Sequence, residues 1–231
     1  MFFRQLFDHD SWTFTYLLAD EQSREAVIID PVLDQMSLYQ RLMDEYDLTL
    51  KYAIDTHVHA DHVTALGALR DELGAVTIHG EGSKAACVSR FVTDGEAITF
   101  GSCHLKALAT PGHTDDSYSY YLEADGKRLV FTGDTLLIRG SGRTDFQNGD
   151  AGAQYDSLFG KLLALPDDTI VYPAHDYKGM NESRIAEERV HNPRLQVADK
   201  AAYVELMGNL KMPPPKFMDV AVPANLECGR G

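Results

Sequence analysis

The sequence predicts an α/β fold of the αββα sandwich type, two sheets packed face to face with helices on both outer sides. Three observations lead there. Strand-like segments come in runs, amphipathic helices punctuate the runs, and the order strands, helix, strands, helix repeats loosely along the chain. No low-complexity tract, charge block or linker divides the 231 residues. The expectation is therefore one domain over 1–231, with a helical extension and tail over about 181–231.

Taken in order, residues 2–7 and 13–18 are aromatic and β-branched enough to read as strands. A turn at Asp20–Ser23 leads to a third strand, Glu25–Ile29, which Asp30-Pro31 stops because proline cannot donate to a central ladder. Met36, Tyr39, Leu42 and Met43 fall at helical spacing within a helix over Gln35–Tyr46. The apolar run Leu50–Ile54 is a buried strand, and Val63, Leu66, Leu69 and Leu73 mark a helix that Gly74 ends. Val76–His79 is a short strand. Ala97–Ala109 is a pair of strands joined at Gly101-Ser102, and Ser117–Glu123 and Arg128–Phe131 form a hairpin around Asp125-Gly126. Leu137–Ala151, with glycines at 140, 142 and 149, is a long ordered loop. A helix over Gln154–Leu165, a strand over Thr169–Tyr172, helices over Glu182–Arg189 and Ala198–Gly208, and a Pro-rich tail from Met212 complete the chain.

Hydrophobic residues make up 44% and charged residues 24%, as expected of a globular protein with a substantial core. The formal charge of −14 would be repelled by phosphate backbones, which argues against a general nucleic-acid binder. No apolar run approaches the ~20 residues that a membrane-spanning helix needs. The start, Met1–Asp8, has neither a secretory nor a transit pattern, so the expected location is cytoplasmic. Cys87, Cys103 and Cys228 are odd in number, widely spaced and without a Cys-x-x-Cys pair, and are expected to be reduced thiols.

The chemistry concentrates in Thr56-His57-Val58-His59-Ala60-Asp61-His62, directly after a predicted buried strand. In extended backbone the side chains of His57 and His59 project to the same side, while Asp61 and His62 follow as the chain turns toward a helix. Three imidazoles and a carboxylate at one strand end are hard to desolvate without a metal to satisfy them. The alternative for Asp61 alone is a helix cap. Three further positions follow predicted strands: His113 in Thr110-Pro111-Gly112-His113-Thr114, Asp134 in Gly133-Asp134, and His175 in Pro173-Ala174-His175-Asp176. Loops at strand ends gather at one sheet edge, where the scaffold holds them rigid. Of the nine histidines, His9, His79, His104 and His191 fall outside this set and are expected to be surface or packed residues.

His-x-His-x-Asp-His, Gly-His-Thr, Gly-Asp and Ala-His, in that order, resemble the ligand series of the metallo-β-lactamase superfamily, with all seven metal-type positions present. Gly133–Gln147, Ile29–Leu33, Tyr172–Tyr177, Met207–Leu210 and Val222–Asn225 are similar to the persulfide dioxygenases within it, over almost the whole chain. Glyoxalase II hydrolases share the series but usually continue into a larger helical domain, for which residues 176–231 are short.

The resemblance implies a sandwich with its metal at one edge and one Fe(II) per chain, held by His57, His113 and Asp134. Two imidazoles and a carboxylate on one face leave adjacent positions for a substrate sulfur and O2. The implied reaction oxidises glutathione persulfide with O2 and water to sulfite and glutathione, as part of hydrogen sulfide oxidation. His59, Asp61, His62 and His175 then hydrogen-bond the ligands instead of binding metal. Ligand count alone leaves open two zinc ions, with His57, His59 and His113 on one, Asp61, His62 and His175 on the other, and Asp134 bridging. That alternative implies a hydrolase of glutathione thioesters. A third class is a non-catalytic sulfur carrier that binds metal or persulfide.

A glutathionyl group carries two carboxylates, so an acidic protein needs a local basic pocket. Arg143 and Arg139 on the loop after Asp134 are candidates for it, as are Tyr177 and Lys178 after His175. For Arg143 the alternative is an ion pair with Asp145 or Asp134 that holds the loop. No rhodanese-type segment is present, so sulfur-transfer proteins are expected in trans, and the apolar tail around Met212–Val222 suggests a homodimer.

Overall fold

Strand Thr13–Ala19 is buried along its whole length, because its alternating side chains serve two different layers. Tyr16 and Leu18 point into one apolar cluster and Leu17 and Ala19 into another. In the computed structural model, which describes residues 1–213 and 217–230, the same division organises both sheets.

The first sheet runs in order β1 (Phe2–Asp8), β2 (Thr13–Ala19), β3 (Glu25–Ile29), β4 (Thr49–Ile54), β5 (Val76–Gly80) and β6 (Arg90–Val92). Its first three strands are antiparallel and β3 to β6 are parallel, with Tyr16 opposite Ile29 and Ile29 opposite Ile54. The first two parallel steps cross over through α1 (Met36–Glu45) and α2 (Leu66–Leu73), and the third, β5 to β6, through the loop over 81–89. The second sheet runs from the edge strand β12 (Ser183–Arg184) through β11 (Ile170–Pro173), β10 (Lys127–Gly133), β9 (Tyr118–Ala124) and β8 (Cys103–Ala109) to β7 (Ala97–Phe100). Only β10 and β11 are parallel there, joined through α3 (Ala151–Ser157) and a π-turn over Leu158–Leu162.

Between the sheets lie Tyr16, Leu18, Ile29, Ile54, Phe100, Leu105, Tyr120, Phe131 and Tyr172. Outside the first sheet, Tyr39, Leu42 and Met43 of α1 and Leu66 and Leu69 of α2 cover Leu17, Ile28 and Ala53. Outside the second, the π-turn, α4 (Ile185–His191) and α5 (Lys200–Gly208) bury Leu158, Ile185, Tyr203 and Met207 against Val130 and Val171. This is the expected αββα sandwich.

Several boundaries differ from the expectation. Helix α2 starts at Leu66 and not Val63, because residues 55–65 are committed to the histidine loop. Helix α3 starts at Ala151, three residues early, since Asp150 accepts the Ala153 N–H at 2.8 Å as an N-cap. The three-residue β6 and two-residue β12 carry too little pattern to be read from sequence. The expected Pro-rich tail falls partly on 214–216, outside the described residues. Beyond them Met218–Leu226 form a helix, α6, despite Pro223 within it, and bury Ala221, Ala224 and Asn225.

The cysteine expectation is also corrected. Cys87 and Cys228 form a disulfide across 141 residues, and only Cys103, buried, is free. Local spacing could not reveal this pair, because the end of α6 and the loop after β5 meet only in the folded chain. No helix among the described residues is long and apolar enough to cross a membrane.

Candidate metal centre

Each metal-type residue follows the carboxyl end of a strand. His57, His59, Asp61 and His62 follow β4 of the first sheet, and His113, Asp134 and His175 follow β8, β10 and β11 of the second. The two sheets therefore present their ligand loops at one shared edge. An antiparallel bridge between Thr13 and His175, with the Phe14 N–H donated to the Ala174 carbonyl at 2.7 Å, ties the sheets together there.

The free nitrogens of His57 and His113 and an oxygen of Asp134 lie within 4.8 Å of one another. Their orientation is fixed from behind. His113 Nδ1 donates to the Arg143 carbonyl at 2.7 Å, which leaves the Nε2 lone pair facing Asp134 Oδ2 at 3.4 Å. Thr56 Oγ1 gives its hydrogen to Asp30 Oδ2 at 3.0 Å, so it accepts from His57 Nδ1, also 3.0 Å away. The same Asp30 accepts the Thr56 N–H at 2.7 Å and faces His59 Nε2 at 3.1 Å. Gly133, with φ at +51°, allows β10 to turn into Asp134. A Cβ there would stand 2.6 Å from Thr56 Oγ1, so the chain must be bare at that point.

Burial, reinforced by the neighbouring imidazoles of His59 and His113, pushes His57 well below the usual histidine range and keeps it a neutral donor. Asp134 Oδ1 is buried without a hydrogen-bond partner. Two lone pairs and an unsatisfied carboxylate oxygen converging on one space fit a divalent metal.

His59, Asp61 and His62 form a second convergent set within 4.8 Å. Here His59 Nδ1 and His62 Nε2 are likewise buried without hydrogen-bond partners, whereas Asp61 is engaged by its neighbours. Asp61 Oδ2 accepts from Thr13 Oγ1 at 3.0 Å and faces His62 Nδ1 at 2.8 Å. Asp61 is thus no helix cap. Burial opposes its ionisation, but His62 and His175 outweigh that and hold it well below the usual carboxylate range. His59 is resisted by burial and raised well above the usual range, with Asp30 as the main cause. His175 donates from Nδ1 to the Trp12 carbonyl at 2.9 Å, and its Nε2 stands 3.5 Å from Asp61 and 3.6 Å from Asp134. Burial works against its charge, yet Asp134 and Asp61 push it up to about 10. All seven sequence-derived positions thus come together.

The centre opens into a cavity of about 470 Å³. Of the four substrate candidates, Arg143 and Tyr177 line it. Tyr177, 62% exposed, stacks on His175 with centroids 5.8 Å apart. Arg143 binds Asp145 through Nε at 2.6 Å and Nη2 at 2.8 Å, lies over Phe146, and donates to the Pro213 carbonyl at 2.6 Å. Arg139 does not reach the cavity. Its side chain turns away to Glu187, Glu188 and Ser183, and the fully buried Glu188 carboxylate requires that partner. Lys178 is exposed and likewise absent from the walls. The walls also include Trp12, Phe146, Met212 and Phe217, which sequence reasoning missed. Trp12, just ahead of β2, had no motif to mark it, and Phe217 arrives from the far end of the chain.

Residues 13–175 match the family model of the metallo-beta-lactamase superfamily. A persulfide dioxygenase ETHE1, mitochondrial, of Homo sapiens is 46% identical over 226 residues, covering 98% of this chain and 88% of the relative. A crystal structure of ETHE1 from Myxococcus xanthus superposes with a TM-score of 0.95 at 52% identity, over 99% of this chain and all of that one. The chain belongs to the persulfide dioxygenases of the metallo-β-lactamase superfamily. A probable hydroxyacylglutathione hydrolase of Schizosaccharomyces pombe is more distant, 37% identical over 170 residues, covering 73% of this chain and 65% of its own length. In this persulfide dioxygenase family member the match extends past His175 into α5 and α6, so the helices beyond the superfamily model belong to the resemblance as well.

Proposed function

We propose that the chain is a persulfide dioxygenase that holds one Fe(II) and oxidises glutathione persulfide with O2 and water to sulfite and glutathione. The observation that carries this reading is the convergence of His57, His113 and Asp134 on one space beside the large cavity. Iron bound there would supply the redox chemistry that lets O2 react with sulfur, which zinc lacks. In the overall balance the outer sulfur gives four electrons to O2 and gains three oxygens, two from O2 and one from water. The sulfur–sulfur bond breaks, and the inner sulfur leaves protonated as glutathione.

The chain's own groups prepare this. Thr56 and the Arg143 carbonyl hold the two imidazoles with their lone pairs toward the centre. The Arg143 guanidinium is the proposed anchor for a glutathionyl carboxylate, which would compete with Asp145 for its donors. Trp12, Phe146 and Phe217 give the cavity apolar walls that limit the water reaching a reactive sulfur.

A two-zinc hydrolase of glutathione thioesters is the second reading, favoured by the convergence of His59, Asp61 and His62. The test is to count metals and follow O2 in the same preparation. The expected result is one iron per chain, with O2 uptake matched by sulfite release from glutathione persulfide. Two zinc ions per chain, with hydrolysis of S-lactoylglutathione and no O2 uptake, would establish the hydrolase. An Fe(II)-loaded protein that binds the persulfide and leaves O2 untouched would instead point to a sulfur carrier.

A further inference from the structure

Helix α6 reaches back to the histidine loop, and one buried side chain makes the junction. Asn225 accepts the Thr64 N–H on Oδ1 at 2.8 Å and donates through Nδ2 to the carbonyls of His59 at 2.9 Å and His62 at 2.8 Å. A single amide therefore satisfies three backbone groups in a loop whose irregular path leaves them without ladder partners.

Three residues later the same helix end is held covalently. Cys228 is bonded to Cys87, and its carbonyl accepts the Gly67 N–H of α2 at 2.9 Å. A Cβ on Gly67 would stand 2.6 Å from that carbonyl, so α2 is bare where the chain end docks. Cys228 is only 1% exposed, whereas Cys87 is half-buried and is the more accessible residue of the pair.

We propose that Asn225 is a positioning residue for the histidine loop, and that the Cys87–Cys228 disulfide is a thiol-reducible latch that keeps it seated. Helix α6 has nine residues, one of them proline, and a helix so short has little stability of its own. Its place depends on the burial of Ala221, Ala224 and Asn225 and on the cross-link at its end. The clusters between the sheets and outside the second sheet are built from other elements, and the cluster outside the first takes only Cys228 from the chain end, so opening the latch frees the helix and the loop without unfolding the sandwich.

Opening proceeds by exchange with a low-molecular-weight thiol. Its thiolate attacks Cys87 Sγ, the protein disulfide breaks, and Cys228 leaves and takes up a proton. A second thiol then attacks the mixed disulfide, releasing the Cys87 thiol and a small-molecule disulfide. Two thiols thus supply the two electrons that the protein disulfide accepts. Glutathione is such a thiol and the product proposed above; only that choice of thiol rests on the persulfide reading.

The test is hydrogen exchange on the full chain, oxidised and after dithiothreitol, with the metal-release rate to a chelator measured in parallel. Reduction, or Cys228→Ser, should speed exchange in peptides covering 57–66 and 218–228 by about tenfold or more, leave the sheet peptides unchanged, and speed metal release. Asn225→Ala with the disulfide intact should loosen 57–66 while 218–228 stays protected. Three free thiols in the denatured, unreduced protein would overturn the proposal. So would unchanged loop exchange after reduction, or a uniform rise across the chain. Failure of the persulfide reading would appear in O2 uptake and leave these exchange results untouched.

Discussion

The carbonyl of Arg143 stands 2.7 Å from His113 Nδ1, so one residue orients a metal-type imidazole through its main chain while its side chain lines the cavity. The two roles separate on mutation. Arg143→Ala keeps the carbonyl and should keep the metal, but it removes a charged donor pair of the kind that contributes about 1.5–3 kcal/mol. The expected outcome is a KM for glutathione persulfide raised roughly tenfold or more, with unchanged metal per chain. Loss of metal in this variant would show that the Asp145–Arg143 pair serves the loop and not the substrate.

His113→Ala should behave in the opposite way. It removes one of three convergent donors and leaves Asp134 without its 3.4 Å neighbour. Metal content, measured by elemental analysis after dialysis, should fall together with activity. A variant that retained stoichiometric metal and lost only activity would move His113 out of the ligand set.

Thr56→Val tests the support behind His57. Valine keeps the shape but deprives His57 Nδ1 of its acceptor and Asp30 Oδ2 of its donor. Groups that orient metal-binding imidazoles typically contribute 10–100-fold in metal affinity, and a loss of about that size is expected in a competition titration. Unchanged affinity would mean that ring packing alone fixes His57.

These residues show what was legible in the chain. The heptapeptide at 56–62 could be read because its donors are contiguous and follow a strand, where local geometry decides direction. Arg139 falls outside the cavity for the converse reason: nearness to Asp134 in sequence says nothing about the buried Glu188 that claims it from α4. Trp12, Phe146 and Phe217 meet only after both sheets and the chain end have assembled. The Cys87–Cys228 bond is invisible on the same ground. The strands of the sandwich were easier, since apolar runs such as Thr13–Ala19 are buried on both faces and need no partner to be recognised.

Phe131 tests the layer between the sheets. It is buried among Tyr16, Tyr172 and Phe3, with ring centroids 4.9, 5.7 and 6.4 Å away. Phe131→Ala should cost about 3–5 kcal/mol through lost burial and the cavity left behind. Urea unfolding should show a lower midpoint at an unchanged slope. A cost under about 1 kcal/mol would mean that the ring neighbours collapse into the space.

Asp20 gives the fold an acid-sensitive joint. Its Oδ1 accepts the N–H groups of Gln22 at 2.9 Å and Ser23 at 2.7 Å, and its Oδ2 accepts the Ser102 N–H at 2.9 Å and the Ser102 hydroxyl. The turn between β2 and β3 is thereby pinned to the turn between β7 and β8, one sheet to the other. The Ser102 hydroxyl, then the Ser23 and Ser102 amides, hold the carboxyl well below its ordinary value. An unfolded aspartate titrates near about 3.9, so below that pH the unfolded chain binds a proton that the folded chain still refuses. The contribution is full above that value and is lost as pH falls toward the depressed folded pKa. Asp20→Asn should therefore lower the urea midpoint near neutral pH, and the gap from the parent protein should shrink from about pH 4 downward. A gap that stays constant to about pH 2.5 would mean that shape, and not charge, makes the joint.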